Sequence, residues 1–202
     1  MIEHASTAGP GSLLTHATAH QHSRVWIQGA SVLLAAGLTA AAAQFTSPLP
    51  FTAVPFTLAP LAVMLTGAAL GSRLGFLAQV MYIMAGVVGL QVFAPSITLP
   101  PGAARLIGPT GGYLLAYPVA AFVTGWLAER GWDRRYLTSF ASMLVGLCVI
   151  FIGGVSWLSM LPGQTLQTAI AGGFLPYIGV DIVKAAVAAG LLPVAWKLLA
   201  KS

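Results

Sequence analysis

From residue 24 onward the chain is a succession of long apolar runs separated by short polar, glycine-bearing or proline-bearing breaks. Runs at about 25–45, 57–70, 74–92, 112–128, 137–160 and 176–199 predict six helices. A membrane span needs roughly 20 apolar residues. The second run is short for that, so its helix either tilts little or is supplemented by the segment before it. That segment, 47–57, carries Pro48, Pro50 and Pro55. It is too broken for a helix and too hydrophobic for free solvent, and is expected to pack over the outer face of the bundle. Residues 93–111 form a long, mostly uncharged loop in which Pro95, Pro100, Pro101 and Pro109 prevent a continuous helix. Loops of that length tend to be functional. A charged turn at 129–135 joins the fourth and fifth runs, and a glycine- and polar-containing loop joins the fifth and sixth. Pro176 suits the first turn of the last helix, where its missing N–H costs nothing.

Composition turns these runs into membrane spans. Of 202 residues, 57% are hydrophobic and only 6% charged, against about a quarter charged in a soluble domain. The fold class is therefore an all-α integral membrane protein, a six-transmembrane-helix bundle. Residues 24–202 form the membrane domain and 1–23 a disordered cytoplasmic tail. The tail holds Glu3 and no base, unlike a signal peptide. It also holds His4, His16, His20 and His22, but no cysteine or carboxylate keeps His16, His20 and His22 company as metal ligands. A solvated tail with no metal is expected. Cys148, the single cysteine, lies in an apolar run, where packing is its expected role. The net charge of +5 does not point to nucleic acid, because the bases are scattered over segment ends.

Those bases set the orientation instead. Six spans put the N-tail, the 2–3 turn, the 4–5 turn and the C-tail on one side, with Arg24, Arg73, Arg130, Arg134, Arg135, Lys197 and Lys201. The other side has Arg105 alone. Positive-inside statistics then place both termini in the cytoplasm and Arg105 outside.

The candidate chemistry gathers on that outer side. Asp181 and Lys184 interrupt the last apolar run, three residues apart, so on a helix they share a face and can touch. Either charge alone at the bilayer centre costs roughly 2.5–3.5 kcal/mol. The pair is either a structural lock for the last helix or a ligand or transport site, the default for intramembrane ionisable residues. It lies roughly 8–12 Å below the helix start, at 1.5 Å per residue. The stretch Gly108-Pro-Thr-Gly-Gly-Tyr113 opens the fourth helix. Its glycines, Gly111 and Gly112, allow close approach of a ligand's anionic or carbonyl group, or simply a tight turn between packed helices. Helix 1 is rich in small residues, with Ala36 and Ala40 four apart, and offers a docking face for a neighbouring helix. Ser156 and Ser159 are at bilayer depth, but every histidine is in the tail, so a Ser–His enzyme is not expected.

Together, Val54-Pro-Phe-Thr57, Gly89-Leu-Gln-Val-Phe-Ala94, Gly108-Pro-Thr-Gly-Gly-Tyr113 and Asp181-Ile-Val-Lys184 resemble the BioY family, the biotin-specific substrate-capture (S) components of energy-coupling-factor (ECF) transporters. The resemblance spans roughly residues 25–200, and Gly-Pro-Thr-Gly-Gly-Tyr is its most specific part. The chain departs from the family's usual pattern at Gln91, where proline is usual, at Ala59, where glutamine is common, and at Gly179-Val180, where Pro-Gly often precedes the aspartate. The resemblance implies a biotin pocket lined by Tyr113 and its glycines, Asp181, Lys184 and Arg105. Phe56, Phe93 and Tyr113 could supply apolar walls. It further implies a transmembrane coupling subunit, docked partly through the small-residue face of helix 1 at Ala36 and Ala40, and two ATPase subunits. No cofactor is implied, and no nucleotide-binding motif occurs in this chain. A capture subunit for a different vitamin shares this architecture, and a purely structural membrane subunit would explain helix 1 alone.

Overall fold

The computed structural model describes residues 12–13, 24–47, 49–50, 52–96 and 99–199. Among these, eight α-helices form: α1 Arg24–Gln44, α2 Ala59–Leu70, α3 Ser72–Val87, α4 Ala104–Ile107, α5 Gly111–Glu129, α6 Tyr136–Ser159, α7 Leu166–Gly173 and α8 Leu175–Leu199. Two two-residue strands, β1 Thr46–Ser47 and β2 Phe56–Thr57, pair antiparallel with Thr46 opposite Thr57. Four of the helices, α1, α5, α6 and α8, are long and apolar enough to cross a membrane, while α2 and α3 have 12 and 16 residues.

Helix α5 is the hub. Of its most apolar window 72% is buried, against 11% for α1, which lies at the edge with Val25, Trp26, Leu33 and Leu34 exposed. Small residues make the central position possible. A Cβ on Gly67 of α2 would come within 2.5 Å of the Ala121 carbonyl oxygen, and one on Gly125 of α5 within 2.5 Å of the Gly71 backbone. Without side chains there, α2, α3 and α5 approach backbone to backbone, the packing that replaces a hydrophobic drive in lipid. Above this crossing lies a core of Met64, Tyr82, Tyr117, Met143, Leu147 and Ile150.

The charged turn ties down one end of the bundle. Glu129 at the end of α5 accepts hydrogen bonds from the Ser72 backbone N–H (2.8 Å) and hydroxyl (3.0 Å). It thereby caps α3 with a carboxylate where the helix dipole favours negative charge. Asp133 is buried and accepts from the Trp196 indole N–H of α8 at 2.6 Å. Of the tail, Ser12 and Leu13 are described; both are buried, and the Ser12 hydroxyl donates to the Leu70 carbonyl. Its four histidines lie outside the described residues.

The opposite end differs from the sequence expectation in two places. Helix α3 stops at Val87 rather than near 92, because Gly89 takes a φ of +98°, a left-handed turn that glycine adopts without strain. The loop expected between the last two apolar runs contains α7. Thr165 and Thr168 close a reciprocal capping box at its start, which satisfies N-terminal donors that a short helix would otherwise leave open.

Candidate functional site

On α8, Tyr177, Asp181 and Lys184 follow one another at spacings of four and three, which puts them on one helical stripe. All three are buried. Lys184 Nζ donates to Asp181 Oδ1 at 2.6 Å and to the Thr57 carbonyl at 2.7 Å, and stands 3.7 Å from the centroid of the Phe56 ring. The hairpin explains the second contact, since pairing of β2 with β1 holds the Thr57 carbonyl over α8. The ammonium is thus held from three directions by the protein. Asp181 is not saturated: among the described residues Oδ2 makes no hydrogen bond, while the residue lines a cavity. A carboxylate oxygen left in this way accepts an N–H or O–H from whatever fills that space.

The cavity lies between α8, the hairpin segment, α3, α5 and the loop after α3. Its aromatic walls are Tyr82, Phe93, Tyr113, Tyr117, Phe151 and Tyr177. Water-molecule centres can occupy about 70 Å³ of it, several times the roughly 10–15 Å³ that one water requires. Tyr82 and Phe93 meet edge to face with centroids 5.4 Å apart. Tyr113 fits a slot made by two missing side chains, since a Cβ on Gly154 would fall 2.1 Å from its ring and one on Gly173 2.3 Å from its hydroxyl. That hydroxyl donates to the Gly173 carbonyl at 2.7 Å, joining α5 to α7. The Tyr177 hydroxyl donates to the Val54 carbonyl, and Thr52 Oγ1 donates to the Gly172 carbonyl at 2.8 Å. These bonds stitch the hairpin segment to α7 and α8 over the cavity.

Arg105 on α4 forms the far wall and is 6% exposed. Its guanidinium donates to the carbonyls of Ala94 and, at 3.2 Å, Leu99, so it also braces its own loop. Burial lowers its pKa from the ordinary value, and neighbouring Tyr82 opposes the shift. A guanidinium starts so high that it stays cationic. The cavity therefore carries a self-neutralising Asp–Lys pair on one wall, a single cation on another and aromatic surface between. That set suits an elongated ligand with a neutral hydrogen-bonding head, an apolar middle and an anionic end. Past Phe93, Ala94 and Arg105 a second cavity of about 240 Å³ opens toward the loop surface.

The residues expected from sequence divide into two groups. Arg105, Tyr113, Asp181, Lys184 and Phe93 line the inner cavity. Phe56 lies beneath the Lys184 ammonium. Gly111 and Gly112 stand behind Tyr113, where a Cβ would fall 1.8 Å from the Leu106 carbonyl oxygen and 2.1 Å from Trp157 Cβ, respectively. The geometry favours close packing of α5 on α4 and α6 for these two glycines. Trp157 Nε1 closes that corner by donating to the Gly108 carbonyl at 3.0 Å. Ala36 and Ala40 are half-buried on the flank of α1, beside the inward stripe of Ala35, Thr39 and Ala43. Ala59 lines the inner cavity and Gln91 the outer one, whereas Gly179 and Val180 face outward. Sequence reasoning missed Tyr82, Tyr117 and Tyr177. Two of them carried a signal, since Tyr117 is one turn after Tyr113 and Tyr177 one turn before Asp181.

The sequence pattern of the BioY family matches residues 16–201. A protein of Pyrococcus horikoshii named probable biotin transporter BioY is 42% identical over 78% of this chain and 88% of its own length. The biotin transporter BioY of Thermotoga maritima is 39% identical over 70% of this chain and 80% of its own. Among solved structures, the S-component for biotin from an ECF-type ABC transporter superposes with a TM-score of 0.78. It is 21% identical and the match covers 88% of this chain and 94% of that one, a likeness of fold. With its sequence pattern matched almost end to end and its relatives close to full length, the chain is a member of the BioY family.

Proposed function

We propose that this chain captures biotin at the outer side of the cytoplasmic membrane and serves as the substrate-binding subunit of an ECF-type transporter. Its work is transport and not catalysis. The names of its relatives support the substrate class, and the polar set around the cavity is the observation that carries the reading to this chain. Biotin has a ureido ring that donates and accepts, an apolar thioether ring and a flexible chain ending in a carboxylate. The Asp181–Lys184 pair meets the ureido ring: Asp181 Oδ2 accepts a ureido N–H and the deep site holds no net charge to be neutralised. The aromatic walls take the thioether ring. Arg105, the one cation of the lining without an acid beside it, meets the carboxylate. An uncharged head placed deep costs less to desolvate than an anion would.

In this reading residues 24–202 form six spans with both termini cytoplasmic, and α2 is extended by the hairpin segment. Residues 1–23 are a cytoplasmic tail. A transmembrane coupling subunit docks partly on α1 at Ala36 and Ala40 and brings two ATPases. Equilibrium binding of labelled biotin to the purified protein tests the function, with thiamine and riboflavin as competitors. Biotin is expected to bind and neither competitor to displace it. Binding of another vitamin in place of biotin would overturn the substrate assignment.

A further inference from the structure

At Arg105 the inner cavity adjoins a second one. The side chains of Phe93 and Arg105, with Ala94, form a wall common to it and to the outer cavity of about 240 Å³. Arg105 cannot swing freely across this boundary, because its guanidinium is hydrogen-bonded to the carbonyls of Ala94 and Leu99. The loop that bears Phe93 is fixed in turn: the Gln44 side-chain amide at the end of α1 lies 3.3 Å from each of the carbonyls of Gln91, Val92 and Phe93. The outer cavity is thus a defined room behind a braced wall that it shares with the inner one. Beyond Arg105 its lining has no acid or base among the described residues. Gln44, Gln91 and Ser96 contribute uncharged polar groups, and Leu90, Leu99 and Pro101 apolar ones.

We infer that this site also accepts biotin extended through its carboxyl group by an amide link to a single amino acid, such as biotin joined to the ε-amino group of lysine. The inference rests on the biotin reading above and on the orientation that brings the ligand's carboxyl to Arg105. A carboxyl group at Arg105 lies at the shared wall, and on this inference a doorway between Phe93 and Arg105 passes a substituent on it into the outer cavity. The amide N–H and C=O suit the uncharged polar lining, the lysine methylenes suit Leu90, Leu99 and Pro101, and the zwitterionic end reaches the open mouth. The amide loses the ion pair with Arg105, so the fair reference is biotin primary amide, which loses it equally.

The test measures binding of biotin, biotin primary amide and ε-biotinyl-lysine to the purified full chain and to Leu90→Trp, which narrows the outer cavity away from the inner one. On the unmodified protein ε-biotinyl-lysine is expected to bind no more than about threefold more weakly than the primary amide. A larger loss, with biotin still bound, means that the doorway is closed and overturns this inference alone. Absence of biotin binding overturns the biotin reading and this inference with it. In Leu90→Trp the lysine conjugate is expected to weaken by about tenfold or more while biotin and the primary amide are unchanged. Equal loss for all three ligands, or no loss for the conjugate, also overturns it.

Discussion

Lys184 and Asp181 are unequal partners, and their variants should fail differently. Lys184 is held by Asp181, by the Thr57 carbonyl and by the Phe56 ring, whereas Asp181 gives one oxygen to Lys184 and keeps the other for the cavity. Lys184→Met leaves a buried carboxylate alone and removes one of the two bonds described between the hairpin segment and α8. Breaking such a pair costs about 3–5 kcal/mol, so folded yield in size-exclusion profiles should fall sharply along with biotin binding. Asp181→Asn keeps a carbonyl oxygen for the ammonium and replaces the acceptor on the cavity side by an N–H donor, for a binding loss of about 1–3 kcal/mol with most of the folded yield kept. If the two variants lose yield alike, the ammonium is not braced as described. Arg105→Gln should weaken biotin by about 1.5–3 kcal/mol, the worth of a hydrogen bond to a charged group. Because Arg105 also braces its loop, the loss must be divided between the two roles. Biotin primary amide makes the division: an equal fold-loss for biotin and amide would mean that Arg105 holds the loop and does not read the carboxylate. Asp181 and Lys184 were legible in the sequence because charge in an apolar run is costly enough to need a reason, and Arg105 because it is the lone base of the outer side. Tyr82, Tyr117 and Tyr177 were not, because a hydroxyl is cheap to bury once an acceptor is found, and the Val54 carbonyl that accepts from Tyr177 is remote in sequence.

At the level of elements, the apolar runs located α1, α2, α5, α6 and α8 to within about two residues, the usual uncertainty of helix ends. The roof over the cavity was harder to foresee. The hairpin is two residues deep, and α7 has eight residues ending in Gly172 and Gly173, too short for hydrophobic periodicity to mark it. Tertiary bonds hold both, Thr52 to Gly172 and Tyr177 to Val54. The small residues of α1 were visible, but which face they serve was not. Ala35, Thr39 and Ala43 are buried, and the Thr39 hydroxyl accepts from Gln79 of α3 at 3.1 Å, so that stripe is internal packing. Ala36 and Ala40 lie on its flank, and a Cβ at Gly29 or Gly37 would meet nothing. Ala36→Trp combined with Ala40→Trp should therefore abolish co-purification with a coupling subunit while the isolated chain still binds biotin. Thr39→Trp, on the internal stripe, should instead abolish folding. Loss of biotin binding in the Ala36/Ala40 variant would assign those two alanines to the internal stripe as well.

For the whole molecule the open matter is how the bundle lies in the membrane. Helix α2, with 12 residues, spans only about 18 Å at 1.5 Å per residue, short of a hydrocarbon core of about 30 Å, so length alone does not make it a span. Charge and aromatic placement bear on the orientation. Arg73 sits at the start of α3, Arg130, Arg134 and Arg135 in the turn between α5 and α6, and Lys197 near the end of α8. Arg130 stacks at 3.4 Å on Trp126 and Arg134 at 4.9 Å over Trp196, the cation and aromatic mixture of a membrane–water interface. At the other end stand the hairpin, α4 and α7, with Arg105 turned inward onto carbonyls. A chain inserted by the positive-inside rule puts the first end in the cytoplasm. Single cysteines in a Cys148→Ala background test this with a membrane-impermeant maleimide on intact cells. Ser96 and Arg135 are both exposed, whereas Asp133 in the same turn is buried against Trp196 and would report nothing. Ser96→Cys should label in intact cells, and Arg135→Cys only after the membrane is permeabilised. Labelling of Arg135→Cys from outside, with Ser96→Cys protected, would invert the molecule and turn the cavity's mouth toward the cytoplasm. Labelling of both from outside would put an even number of crossings between them and remove the six-span topology.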